Sequence, residues 1–182
     1  LIEMAQGNPF FLVLLGQLVG GADADEVTVE DMRGALEKVV GRMVKSDIEA
    51  VGESTEHVRR FLDVLAVWQS YDEPEDADVL GAIAPSFDNR FDRRERLRAL
   101  AGDQYLDWQG DGPRNATHSL RHDVVADYLR FEILADEGKY RDYAEEALDS
   151  RAPAIADGLL DLTGSPLLRF YPEAVEQIRD QL

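Results

Sequence analysis

The chain has no cysteine in its 182 residues. That excludes disulfides, thiolate metal sites and cysteine nucleophiles. Lysine is nearly missing too: Lys38, Lys45 and Lys139 stand alone, and every other basic residue is an arginine. None of these lysines follows a glycine loop, so the GxxxxGK[ST] cradle for nucleotide phosphates is lacking. No apolar run approaches the roughly 18 residues that cross a bilayer. The longest, Pro9 to Leu15, is not flanked as a signal peptide would be. There is no HExxH, no His/Asp group at metal-ligand spacing and no GxSxG elbow. The sequence therefore offers no catalytic residue and no metal site. The expectation is a non-enzymatic, non-membrane chain, with the cytoplasm as its default compartment.

Acid is what the chain has in plenty. There are 37 Asp and Glu against 19 Lys and Arg, a net charge of −18, yet hydrophobic content is an ordinary 45%. A packed core is therefore expected, not an acidic disordered tail. The charge has two readings. One is an acidic face for a partner. The other is adaptation to high salt, in which carboxylates hold a hydrated, self-repelling surface. The second predicts poor folding in dilute buffer, where repulsion is unscreened.

The residues Gly7-Asn8-Pro9-Phe10-Phe11 form a helix junction. Gly7 can end one helix in a left-handed conformation, Asn8 is a favoured N-cap and Pro9 fits the first helical position. The helix that follows, Phe10 to Leu18, is apolar almost all round and calls for burial against something large. Only six residues precede the junction, so the chain is expected to begin inside a larger assembly.

Most of the remainder reads as helix. Thr28 to Asp31 matches a capping box with Asp in place of Glu, and Val29, Met32, Leu36, Val39, Val40 and Met43 follow at helical spacing. Glu49 to Thr55 reads as a polar break. Val58, Phe61, Leu62, Leu65 and Trp68 form the next stripe, followed by an acidic turn over Asp72 to Asp76. Short helices are expected over 77–84 and 93–101. The period then changes: Tyr105 to Gln109 and Thr117 to Leu120 read as two strands joined at Gly110-Asp111-Gly112-Pro113. Helical spacing resumes over Asp123 to Leu134, with Asp123 as the N-cap. The tail holds three amphipathic patterns: one around Tyr140 to Leu148, one with Ile155, Leu159, Leu160 and Leu162, and one after Pro172 with Val175, Ile178 and Leu182.

This order predicts a mainly α protein in three parts. Residues 1–53 form a helical domain. Residues 54–135 form a winged helix-turn-helix with its β-hairpin. Residues 136–182 form a helical region that could open a superhelical repeat.

Two groups of residues could carry function. Arg121 and His122 are delivered by the second hairpin strand to a helix start, where free N–H groups favour an anion. The alternative is that His122 bonds within the hairpin and Asp123 only caps. The second group is Arg90, Arg93, Arg94, Arg96 and Arg98, on the helix that would be the recognition helix. Arg90, Arg94 and Arg98 could meet phosphates or base edges. Asp88, Asp92 and Glu95 interleave with them, however, and the net charge opposes a duplex. Nucleic acid is thus disfavoured, and ion pairs or partner contacts are the more natural use.

Together these features resemble the C-terminal half of the signal-transduction ATPases with numerous domains, the NACHT and NB-ARC-like relatives of the AAA+ proteins. Their helical lid opens on a GxP motif, which Gly7-Asn8-Pro9 matches. Their winged helix closes on Met-His-Asp before a helix, which Arg121-His122-Asp123 resembles, with Arg121 in place of methionine. The resemblance implies that Pro9 packs near an adenine and that His122 contacts the β-phosphate of ADP. It implies ATP or ADP in a full-length parent and no cofactor for this stretch alone. The implied partners are an upstream P-loop domain in cis and proteins that bind the C-terminal helices. A DNA-binding winged-helix regulator and a helical interaction scaffold are the alternatives.

Overall fold

The computed structural model describes residues 9, 12–13, 16–17, 20, 27–51, 55–72, 97–98, 106–110, 117–135, 148–171 and 173–181. Among these the protein is mainly helical, with one small three-stranded antiparallel sheet. Helix α1 runs over Val29–Val51 and α2 over Thr55–Trp68. Strand β1 is Tyr71–Asp72, β2 is Leu106–Gln109 and β3 is Thr117–Leu120. Helix α3 spans Asp123–Leu134, α4 spans Leu148–Leu162 and α5 spans Ala174–Gln181, with a 3-10 turn at Leu168–Phe170 before α5.

The capping box expected at Thr28 is formed. The Thr28 Oγ1 accepts from the Asp31 N–H at 3.1 Å, and the Thr28 N–H donates back to the Asp31 carboxylate at 3.0 Å. Two of the orphan donors at the start of α1 are satisfied in this way. Met32, Leu36, Val39 and Val40 then turn one stripe into the core. The polar break expected over Glu49 to Thr55 starts later than its first residue, because α1 continues to Val51 and α2 begins at Thr55, with residues 52–54 outside the described residues. Polar residues end a helix only when the backbone gains another partner, and Glu49 and Ala50 remain compatible with helix.

Helix α2 was read as a one-sided stripe. In the fold, every residue from Phe61 to Trp68 is buried, Asp63 included. Helices α1, α3 and α4 and strand β3 all pack against α2, so it has no solvent face in its C-terminal half. Helix α3 is equally enclosed: Val124 to Phe131, Ile133 and Leu134 are all buried.

The hairpin lies where the change of period placed it. Leu106 pairs with Leu120, Asp107 with Ser119, Trp108 with His118 and Gln109 with Thr117. The sheet has a third strand, absent from the sequence reading. Tyr71 pairs with His118 and Asp72 with Thr117, giving the order β1-β3-β2. Asp72 therefore belongs to a strand end, where its carboxylate accepts from the Thr117 hydroxyl. So short a strand carries no period of its own, and β3 alone creates it.

Apolar residues from all three expected segments share one core, from Met32 and Leu36 through Trp68 and Leu129 to Ile155, Phe170 and Ile178. The tail patterns need two corrections. Leu160 is 51% exposed and Val175 is 43% exposed, so neither faces the core. Ala174 and Ile178 take the buried side of α5 instead. The Tyr140 helix lies outside the described residues, except that Leu148 opens α4. No helix among the described residues is long and apolar enough to cross a membrane.

Candidate functional site

The residues that the sequence singled out meet at one point in part. Strand β3 ends at Leu120 and the chain enters α3 through Arg121 and His122. His122 is the N-cap, with φ −110° and ψ 105°, and its side chain makes no cap hydrogen bond. This corrects the assignment of Asp123, which is the first residue of the helix. The His122 carbonyl accepts from the Val125 and Ala126 N–H groups at 2.8 and 3.1 Å, so the backbone of His122 does the capping. Asp123 still complements the positive end of α3 from within the first turn.

Arg121 is engaged across the hairpin, with its Nε 2.7 Å from the Asp107 carboxylate. His122 is half-buried between these charges. Burial, and then the neighbouring Arg121, hold its pKa below the ordinary 6.5, against the pull of Asp107 and Asp123. At neutral pH the imidazole is therefore uncharged. It can donate one N–H or accept at one nitrogen, but it brings no positive charge.

Pro9 is helical and exposed, and Leu12 and Val13 on the same segment are 36% and 57% exposed. The expected burial of this helix is thus not met at these positions. Gly7 and Asn8 lie outside the described residues, as do Arg90 and Arg94. Arg98 is helical and exposed beside the buried Leu97.

A second place in the molecule went unread in the sequence. A cleft of about 660 Å³ opens between α2, β3, α3 and the end of α4, and its walls include Gln69, Asp123, Asp127, Arg130, Asp161 and Ser165. Its floor is an ion pair at 3.0 Å between Arg130 Nη1 and Asp127. Both are buried, at 9% and 7% exposure, and so is Ser165 at 7%. Arg130 Nε donates to the Ala66 carbonyl at 2.6 Å. Burial raises the Asp127 pKa, against the opposing Ser165 hydrogen bond and Arg130 charge. Gln69, in a left-handed conformation at φ 62°, donates its side-chain amide to the Ala154 carbonyl. A Cβ on Gly158 would come 3.1 Å from that amide, a tight contact to which the Gln69 side chain would have to yield. The signal in the sequence was faint but present: Asp127 and Arg130 stand at i, i+3 spacing in the apolar middle of the helix, between Asp123 and Glu132. Among the described residues no group of His, Asp and Glu is arranged to hold a metal ion.

No protein-family model matches the sequence, and comparison with curated proteins and with solved structures gives no significant match.

Proposed function

We propose that this chain is the lid and winged-helix portion of a nucleotide-dependent signalling ATPase, with its phosphate-binding loop supplied by an upstream domain. The observation that carries this reading is the sheet order β1-β3-β2 with β3 running straight into His122 at the head of a buried helix. A short strand after one helix, paired with the far strand of a later hairpin, is the arrangement a winged helix requires. In this reading residues 54–135 are that domain and residues 1–53 are the lid, with Gly7-Asn8-Pro9 at the adenine.

His122 then serves as the phosphate sensor. Its neutral imidazole donates an N–H to the β-phosphate of ADP at the start of α3, where the helix end favours an anion. Arg121 is the weaker candidate for that contact, since reaching phosphate would break its pair with Asp107. ADP favours the closed arrangement through this bond. Exchange for ATP removes its advantage, because a ligand shifts an equilibrium only by its differential affinity for the two states. Exposed Leu12 and Val13 on the lid, and Leu160 and Val175 on the C-terminal helices, supply apolar surface for the cis domain and for protein partners.

The test is ADP retention by the full-length gene product. His122→Ala should release bound ADP faster, with a loss of affinity of about tenfold for one hydrogen bond to a charged group. Unchanged retention would sink the role of His122. The 182-residue chain alone should turn over no ATP, and turnover by it would overturn the whole reading.

A further inference from the structure

We propose, on the basis of the nucleotide reading, that α1 moves with α3 as one rigid body and that the joint which opens on nucleotide exchange precedes Thr28 in the chain. The lid is then divided by its own switch. Gly7-Asn8-Pro9 stays at the adenine, while α1 leaves with the winged helix and takes His122 from the phosphate. A joint that moves needs a second packing for the residues it uncovers. Met32, Leu36 and Val40 of α1 are fully buried, and Val39 is 5% exposed. Helix α1 packs on both α2 and α3. Swinging it away from them would turn that apolar stripe into water.

Polar side chains lock the same contact. Glu37 of α1 accepts from the Tyr128 hydroxyl of α3 and from Arg59 of α2. Arg33 of α1 reaches Glu173 at the start of α5 and lies over the Tyr171 ring, which stacks on Phe131 of α3. Helix α3 carries His122 at its head and Tyr128, Phe131 and Glu132 two to three turns further on. A displacement at the phosphate is therefore passed along one helix to α1 and to the start of α5 together. The body closes at the Thr28 capping box, and Val27 just before it still packs against the core. Gly20, the described residue that precedes Val27, has its N–H on the Gly16 carbonyl at 3.2 Å and φ 46°, so the chain leaves helical conformation there.

Native-state hydrogen exchange of the 182-residue chain in rising urea tests the body itself. The amides of Val40 in α1, Leu65 in α2 and Leu129 in α3 should merge into one opening. Glu37→Ala, made on α1, should lower protection at all three by the same factor, about fivefold for a lost hydrogen bond. A separate opening of α1, or a loss confined to Val40, overturns the proposal. The full-length gene product tests the joint. Arg33→Cys with Glu173→Cys, bridged by a short bismaleimide, clamps α1 to the start of α5. Release of a fluorescent ADP on addition of ATP should stay within about twofold of the unbridged double variant, whereas release slowed about tenfold would put the joint inside the seam and overturn the proposal. A product that holds no ADP sinks the nucleotide reading and the joint with it, while a single opening in hydrogen exchange would still make α1 and α3 one body.

Discussion

Helix α3 carries charged and polar side chains on two nearly opposite faces, and its neighbours treat them differently. At about 100° per residue, Tyr128 and Glu132 share one side, while Asp123, Asp127 and Arg130 share the other. On the first side every group has a partner from another element. The Tyr128 hydroxyl donates to Glu37 of α1 at 2.6 Å, and the Tyr171 hydroxyl donates to Glu132 at 3.0 Å. Arg59 of α2 joins Glu37 at 3.2 Å to the fully buried Asp63 at 3.1 Å. Arg33 pairs with Glu173 at 2.6 Å while its guanidinium lies 4.0 Å above the Tyr171 ring. That ring in turn stacks on Phe131 at 4.6 Å. This seam ties α1, α2, α3 and the start of α5 together, and acid and base alternate along it. On the second side the acids outnumber the base and a cleft stays open. Charge closed on itself holds helices in register.

Four measurements would break or sharpen that contrast. The largest effect should come from Arg130→Ala, which strands Asp127 in the core and leaves the Ala66 carbonyl unmet. Breaking a buried pair from one side costs about 3–5 kcal/mol, read as a lower urea midpoint. Tyr171→Phe keeps the ring stack and removes only the bond to Glu132, and should cost about 1.5 kcal/mol. If it costs as much as Arg130→Ala, the two faces do not differ as described. Glu37→Gln keeps an acceptor for Tyr128 and weakens only a half-exposed pair with Arg59, so the loss should stay under about 1 kcal/mol.

The smallest effect is one of pH at the third polar place on α3, its head. His122 has a folded pKa below the ordinary 6.5. Below that value the unfolded chain takes the proton more readily, so this residue's contribution to stability falls with pH until the folded pKa is passed. His122→Gln should flatten that part of the stability profile. An unchanged slope from pH 6.5 downward would mean that the folded pKa is not depressed.

The comparison also marks how far the sequence could be read. The Thr28 capping box and the two hairpin strands were legible because each is local: a hydroxyl three residues from a carboxylate, or an alternation broken by Gly110 to Pro113. The seam was not legible, since Glu37 meets Tyr128 across 91 residues and Tyr171 meets Glu132 across 39. The cleft was missed for the same reason. Asp161 and Arg130 look like ordinary members of an acidic chain until α4 brings them together. The head of α3 was half legible. Its place after β3 followed from periodicity, but which residue capped it depended on backbone angles at His122 that no residue type dictates.

Composition and spacing alone determined that this is a strongly acidic, cysteine-free chain of amphipathic helices around one hairpin, because those properties depend on neighbours within a turn or a strand. The third strand, the all-round burial of the C-terminal half of α2 and of the middle of α3, the closing of the seam and the opening of the cleft were decided by tertiary structure. Each depends on which residues far apart in sequence come within a few ångströms, and only packing of the whole core sets those distances.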